Sequence, residues 1–489
     1  TETTTTTTTT TTRRAGRAGD RSRPARALSP AALARANPGL TPSQIARVRG
    51  DAAARADADG VVFFRDPEPH LEAHLESRPD ALAVPEQRRP QALGGIALAR
   101  VKRFGEVDVP AAAEPALSSR PGAAHTIYLD FGGETLVDTA WNSVDLPRLH
   151  VPGLDRDGDP ATFDAYERQL IRDTWLEVAE DFAPFAVNVT TVDPGDAAID
   201  RTSVQDLNYG AHVIMGDDAP DGFDTGGAIG LGYVGTFDLP GVQPYYKHAL
   251  CFYGGGQCAS HEVGHQLGLS HDGIVTGGSS QPYHFGDHRW GPIMGGAGGY
   301  ATIRQWSRGD YTGATNTEND LTLIAGNGLA TVTDDYPASH LDAPTIDAST
   351  GAKGLITAGT DVDVMRLTHP GGAFELRVQP DAGHGNLDVE AALLDATGAL
   401  ISGPTVGGAV LVQATNPATE SAHGRSHGLA SRLSAASLPA GTYHLTVRGS
   451  GAPATSTPYA NLAYSSYGLS LIHISEPTRR TPISYAVFC

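Results

Sequence analysis

The segment His261-Glu262-Val263-Gly264-His265-Gln266-Leu267-Gly268-Leu269-Ser270-His271-Asp272 restricts what this chain can fold into more than any other part of it. On a helix, His261 and His265 lie four residues apart and project from one face, so both imidazoles can reach a single point. Glu262 sits one step round, too far to share that point but near enough to touch a molecule bound there. Gly268 can end the helix in a left-handed turn, letting the chain swing His271 back toward the pair. Three neutral imidazoles with a fourth position open are the donor set of a catalytic Zn²⁺. Zinc lowers the pKa of a bound water from about 15.7 toward 7, so Glu262 can act as its general base near neutral pH. A structural zinc site would instead take a fourth protein ligand, often Cys, and would not need Glu262.

The rest of the composition excludes more than it identifies. The 489 residues suggest two to four domains. Three Cys cannot make a disulfide-dense scaffold, and no run of 18 apolar residues is present to span a membrane. A net charge of −20 argues against nucleic acid as a partner. The charge is unevenly placed, with 18 Lys/Arg against 14 Asp/Glu in residues 1–120, so a basic leader precedes an acidic body.

Residues 1–40, rich in Thr, Arg and Ala, are expected to be disordered. Residues 41–120 read as a pro-segment or linker with a short helix over Thr41–Ala56. From residue 121 a strand over His125–Phe131 is followed by Asp155-Arg156-Asp157-Gly158-Asp159-Pro160. That loop reads either as a helix-capping acidic turn at Asp159 or as a Ca²⁺ loop using Asp155, Asp157 and Asp159. In the helix that follows, Phe163, Tyr166, Leu170, Ile171, Trp175, Val178 and Phe182 form one apolar face. Strands are predicted at Phe185–Val192, Ala211–Met215 and Gly-studded Ile229–Phe237, then the helix at His261. After a 336–352 linker, short strands at Asp361–Leu367, Phe374–Val378, Val389–Leu394 and Thr442–Val447 predict a β-sandwich over 353–471. The fold class expected is therefore α+β: a mixed twisted sheet with a backing helix and an active-site helix, then the sandwich. The chain opens at Thr1 without an initiator Met and reads as truncated there. Its end, 472–489, resembles translated sequencing-adapter read-through rather than native protein.

The spacing H-E-x-x-H-x-x-G-x-x-H resembles that of the metzincin zinc metalloproteases, and Asp272 after the third His is most similar to their reprolysin (adamalysin-like) branch. The resemblance spans about residues 121–335 and covers Ala179-Glu180-Asp181-Phe182-Ala183-Pro184-Phe185 and Gln305-Trp306-Ser307, as in a group of secreted bacterial enzymes. It implies His261, His265 and His271 as zinc ligands, Glu262 as catalytic base, and Trp290-Gly291-Pro292-Ile293-Met294-Gly295 as a Met-turn placing Met294 under the metal. Position 296 is Gly where some metzincins carry Tyr, and the nearest Tyr is Tyr300, so no tyrosine is assigned. Ile229–Phe237 is the candidate edge strand for an antiparallel substrate, the alternative being a plain sheet strand. For an exported enzyme, Cys251 and Cys258 suit a disulfide better than a metal pair. His284 and His288 read as structural or rim residues. Asp361–Leu367, Leu438–Val447 and Tyr464–Leu471 resemble a bacterial pre-peptidase C-terminal domain. No Cys precedes Cys251, so a cysteine switch is excluded in this sequence; an acidic residue could serve, and none stands out. The resemblance implies a secreted, monomeric zinc endopeptidase acting on protein or peptide substrates. The rival readings are a zinc amidase of cell-wall peptides and a catalytically silent adhesin-like module, the latter disfavoured by an intact Glu262.

Overall fold

The computed structural model describes residues 22–67, 113–252, 255–286, 290–296, 303–347, 350–380, 385–401, 411–415, 431–449 and 468–475. The fold is α+β. Its N-terminal part runs β1 (Arg23–Pro24), α1 (Pro30–Ala36), α2 (Pro42–Gly50), β2 (Ala54–Ala56) and β3 (Val62–Pro67). Residues 22–40, expected to be disordered, instead include α1, whose Leu33 is fully buried, with Ser29 capping the helix. The predicted Thr41–Ala56 helix is α2, closed at its start by a capping box between Thr41 and Gln44 and ended at Asp51; Ala54–Ala56 is extended.

The next part contains β4 (His125–Asp130), β5 (Gly133–Val137), β6 (Arg148–Pro152), α3 (Ala165–Asp181), β7 (Val187–Thr190), β8 (Tyr209–Gly216), β9 (Ala228–Tyr233), α4 (Gln243–Tyr246), β10 (His248–Phe252) and α5 (Gly255–Gln266). The main sheet has the order β1-β2-β3-β9-β10-β8-β4-β7. Strands β10, β8, β4 and β7 are parallel, while β9 is antiparallel to β10 and β3 is antiparallel to β9. Strand alternation divides the side chains between two cores. Ala211, Val213, Met215, Ala249 and Cys251 meet Ile171, Trp175, Val178, Val263 and Leu267 of α3 and α5. Ile214, Leu250, Phe252 and Tyr233 meet Leu136, Trp141, Leu149 and Val151 around the β5–β6 hairpin.

Helix α3 starts later than the sequence suggests. Its cap is Asp164, in a reciprocal box with Glu167, so the Asp159-Pro160 turn lies outside it. Ile171, Trp175, Val178 and Phe182 are buried, whereas Tyr166, in the first turn, is 61% exposed. Strand β10 is absent from the sequence reading, since His-Ala-Leu-Cys-Phe is too short to show a period.

Beyond α5 lie β11 (Ile274–Thr276), β12 (Ser279–Gln281), β13 (Trp290–Pro292), β14 (Ile303–Gln305) and α6 (Asp320–Gly326). The C-terminal part holds β15 (Ala352–Ile356), β16 (Val362–His369), β17 (Gly372–Pro380), β18 (Val389–Leu394), β19 (Leu411–Thr415), β20 (Ser431–Leu438), β21 (Gly441–Gly449) and β22 (Gly468–Ser475). A five-stranded sheet, β15-β22-β17-β20-β19, and a three-stranded sheet, β16-β21-β18, contribute to one apolar core that includes Ile356, Leu376, Leu433, Met365, Leu393 and Val447. Within the tail read as foreign, Ile472–Ser475 pairs with β15 and β17; the rest of that tail, including Cys489, lies outside the described residues. Among the described residues no helix is long and apolar enough to cross a membrane.

The buried and exposed faces of α3 predict opposite outcomes for two aromatic truncations. Trp175→Ala, which also removes the indole hydrogen bond to Val189 O, should cost about 3–5 kcal/mol in urea unfolding. Tyr166→Ala should stay within about 0.5 kcal/mol of the parent.

Candidate metal centre

Helix α5 carries His261 and His265 on one face, and its end delivers His271. Gly268, at φ +88°, ends the helix; its N–H donates to His265 O, and Leu269 N–H donates back to Gly264 O. The turn that follows brings the three rings to centroid separations of 4.7, 4.8 and 5.3 Å. All three imidazoles are held at Nδ1. His261 Nδ1–H donates to Ile293 O at 2.8 Å, His265 Nδ1–H to Leu269 O at 3.0 Å, and His271 Nδ1–H to Asp51 Oδ2 at 2.6 Å. These acceptors hold each ring by Nδ1 and so aim each Nε2 inward, as outer partners of metal-bound histidines do.

What the Nε2 atoms face is Asp66, at the end of β3. Its Oδ2 lies 3.5 Å from His261 Nε2 and 3.2 Å from His265 Nε2, and its Oδ1 lies 2.7 Å from His271 Nε2. Asp66, His261, His265 and His271 are all buried and form a group able to hold a metal ion. Ligands about 2.1 Å from a tetrahedral ion stand about 3.4 Å apart, close to these spacings. His261 Nε2 is buried without a hydrogen bond, the condition of a ligand atom awaiting an ion. The donor set of three imidazoles and a carboxylate therefore fits a Zn²⁺-class ion.

Around this centre the sequence-derived residues fall as follows. Glu262 is 1% exposed and packs under β9: a Cβ at Gly230 would overlap its Oε1, and one at Gly232 would lie 2.8 Å from its Oε2. The glycines of this strand thus mark close approach of the strand to the helix. Met294 is fully buried, with a Cβ at Gly264 falling 2.6 Å from its sulfur, and its carbonyl accepts from Asp272 N–H at 2.8 Å. Cys251 and Cys258 are disulfide-bonded, with Cα atoms 5.9 Å apart, joining β10 to α5. His284 is buried against Trp290 and Tyr311, whereas His288 and Tyr300 lie outside the described residues.

In the acidic loop the convergent group differs by one residue from that read in the sequence. Asp155 and Asp157 converge with Glu167, not with Asp159. The Asp159 carboxylate is occupied by Ala161 N–H and the Thr162 hydroxyl.

Three residues at the centre escaped the sequence reading: Asp51, Asp66 and Tyr283. The Tyr283 hydroxyl donates to Asp66 Oδ1 at 2.7 Å, and its ring lies 4.5 Å from that of His271. Phe64, beside Asp66 on β3, stacks on His265 at 4.3 Å. The charges are strongly coupled. Burial would raise Asp66, but the His271 charge and the close contact of the three imidazoles hold it well below the usual carboxylate range. Burial lowers His271, yet Asp66 and Asp51 push it up to about 10. Burial and then the Asp66 charge drive Glu262 well above its ordinary value. Asp272 is raised to about 8, first by burial and then by Glu318.

No protein-family model and no curated protein matches the chain. Among solved structures it is similar to the pre-peptidase C-terminal domain of a collagenase from Bacillus anthracis, at 13% identity and a TM-score of 0.17, covering 29% of this chain and 100% of that one. A likeness of that strength bears on neither fold nor activity.

The contact between Gly264 and Met294 can be tested by a mutant cycle. Gly264→Ala alone should cost about 1–3 kcal/mol by overpacking, and Met294→Ala alone about 2–5 kcal/mol. The double variant should fall short of their sum by at least about 0.5 kcal/mol in denaturant titrations.

Proposed function

We propose that the chain is a secreted zinc endopeptidase of metzincin type, held latent by its own N-terminal segment and followed by a β-sandwich of the pre-peptidase C-terminal kind. The observation that carries this reading is the convergence of His261, His265 and His271 beside Glu262, with β3 laid along β9 and Asp66 set against all three imidazoles. His261, His265 and His271 would hold the ion. When bound, zinc would supply Lewis-acid polarisation of the scissile carbonyl and acidify the attacking water.

This chain's residues account for the remaining steps. Glu262, held in place by the Gly230 and Gly232 backbone, takes the proton of the attacking water and passes it to the leaving amine. Tyr283 directs its hydroxyl at the point where Asp66 Oδ1 now lies, so it can donate to an oxygen gaining charge there. The exposed edge of β9, once β3 is gone, accepts an extended peptide by antiparallel strand addition. The disulfide agrees with an oxidising, extracellular setting.

Latency follows from the same contacts. Asp66 occupies the fourth position around the imidazoles, and Phe64 covers His265. Asp51 grips His271 from behind, and β3 fills the edge of β9. A cut between residues 67 and 113 would release the segment while leaving β4, β7, β8, β9 and β10 intact.

The purified full chain, before and after such a cut, should be assayed on casein with and without 1,10-phenanthroline. Asp66→Ala should raise the activity of the uncut chain at least about tenfold, a change near 1.4 kcal/mol. Glu262→Ala should lower the activity of the cut chain by about 10²–10⁴ while retaining zinc. Turnover that survives both the chelator and Glu262→Ala would overturn the proposal, and turnover of peptidoglycan peptides alone would replace its substrate class.

A further inference from the structure

The sheet face turned away from α3 and α5 carries a second cluster of ligand-type side chains. Alternation along β8 and β10 places His212 and His248 on the same face as Ile214, Leu250 and Phe252. The two histidines are direct partners in the parallel β8–β10 register, with ring centroids 5.0 Å apart. Glu134, on β5, reaches both: its Oε2 lies 3.4 Å from His212 Nδ1 and 3.9 Å from His248 Nε2. His212 is 8% and His248 4% exposed. The Glu134 side chain is 42% exposed, which leaves a path from solvent.

Hydrogen bonding does not satisfy all of these atoms. His212 Nε2 faces Asp130 Oδ2 at 3.2 Å, the contact expected when that nitrogen carries the proton. In the neutral ring its Nδ1 lone pair then faces Glu134 Oε2 at 3.4 Å, two acceptors face to face. Glu134 Oε2 is buried and makes no hydrogen bond, and neither does the buried Nδ1 of His248. Lys247 is adjacent, but its ammonium is taken by Asp196 and Asp200 at 2.6 and 2.7 Å. A cation among these atoms would resolve the acceptor–acceptor contact. One donor atom from each of Glu134, His212 and His248 lies within 4.8 Å of the others, against about 3.4 Å between ligands of a tetrahedral ion.

We propose that Glu134, His212 and His248 bind a second divalent transition-metal ion of the zinc class, with Asp130 orienting His212 from behind. Such an ion cross-links the β5–β6 hairpin to β8 and β10. Two imidazoles and one carboxylate favour zinc, copper or nickel over calcium or magnesium. The carboxylate–histidine contact is the outer support usual for such sites.

The test uses the full chain bearing His261→Ala and His265→Ala, which breaks the first cluster so that the second is read alone. Stripped with chelator and dialysed against Co²⁺, it should retain one ion per chain by mass spectrometry and show tetrahedral d–d absorption. Adding Glu134→Gln or His248→Gln should abolish both signals, and Asp130→Asn should weaken binding about 10–100-fold. Glu134 is half-exposed, and circular dichroism verifies that the Gln variant is folded. Where the doubly substituted parent fails to fold, the same Gln substitutions in the native chain should lower its content from two ions to one. A parent that binds no ion, or ion content unchanged by both Gln substitutions, would overturn the proposal.

Discussion

The candidate centre depends on the three Nδ1 hydrogen bonds more than on the histidines themselves. An imidazole free to flip or rotate offers its lone pair in any direction, and three such rings do not define a site. Here two of the acceptors are backbone carbonyls created by turns, Leu269 O after the Gly268 cap and Ile293 O beside Met294. The Met294 segment is thereby tied to the ligand geometry without Met294 touching an ion. The third acceptor differs in kind. Asp51 belongs to the N-terminal segment, so the orientation of His271 is set by residues distant in sequence from the helix that carries His261 and His265. On the proposed reading, loss of that segment would free His271 at Nδ1 in the same event that removes Asp66 from Nε2.

The edge of the sheet imposes a matching constraint. Strand β9 is kept close to α5 by Gly230 and Gly232, because any side chain there would displace Glu262. A strand thinned in this way gives little side-chain packing of its own and relies on backbone pairing with its neighbours. On one side that neighbour is β10; on the other it is β3. The glycines that let Glu262 approach the centre therefore also leave an edge whose main-chain groups must be paired by something. In this form the N-terminal segment pairs them.

How much of this was legible in the sequence follows from the range over which each signal acts. The three histidines, Glu262, Gly268 and the short Cys251–Cys258 loop are local patterns, and the structure brings them together as their spacing implied. The apolar stripe of α3 was legible, but its start was not. Asp159-Pro160 and Asp164 are both plausible caps, and the reciprocal Asp164–Glu167 bonds that select the second require the folded turn. Asp66 lies nearly two hundred residues before the nearest of the three histidines, within the stretch read as pro-segment or linker, so no periodicity could single it out. Tyr283 was missed for the opposite reason. The resemblance points to a tyrosine two residues beyond Met294, whereas the hydroxyl that reaches the centre comes from the loop before it. The β5–β6 hairpin and β10 are both too short to display a period.

Strand β10 shows why such short elements matter. Its five residues begin with His248, which faces the hairpin side of the sheet, and include Cys251, which faces the helices and is bonded to Cys258 in α5. Alternation along a strand separates the two by an odd number of residues and so sends them to opposite faces. The strand is consequently clamped on both sides: by the disulfide against the helix that carries His261 and His265, and by the register that pairs His248 with His212. A displacement of β10 along its axis would break the parallel register with β8 and strain the disulfide together. The position of α5 against the sheet is therefore fixed by a covalent bond at its first turn and by the Gly268 turn at its end, with the Gly-to-Glu262 contacts between them. That spacing leaves the helix little freedom to rotate, which is the condition for two imidazoles four residues apart to keep converging on one point.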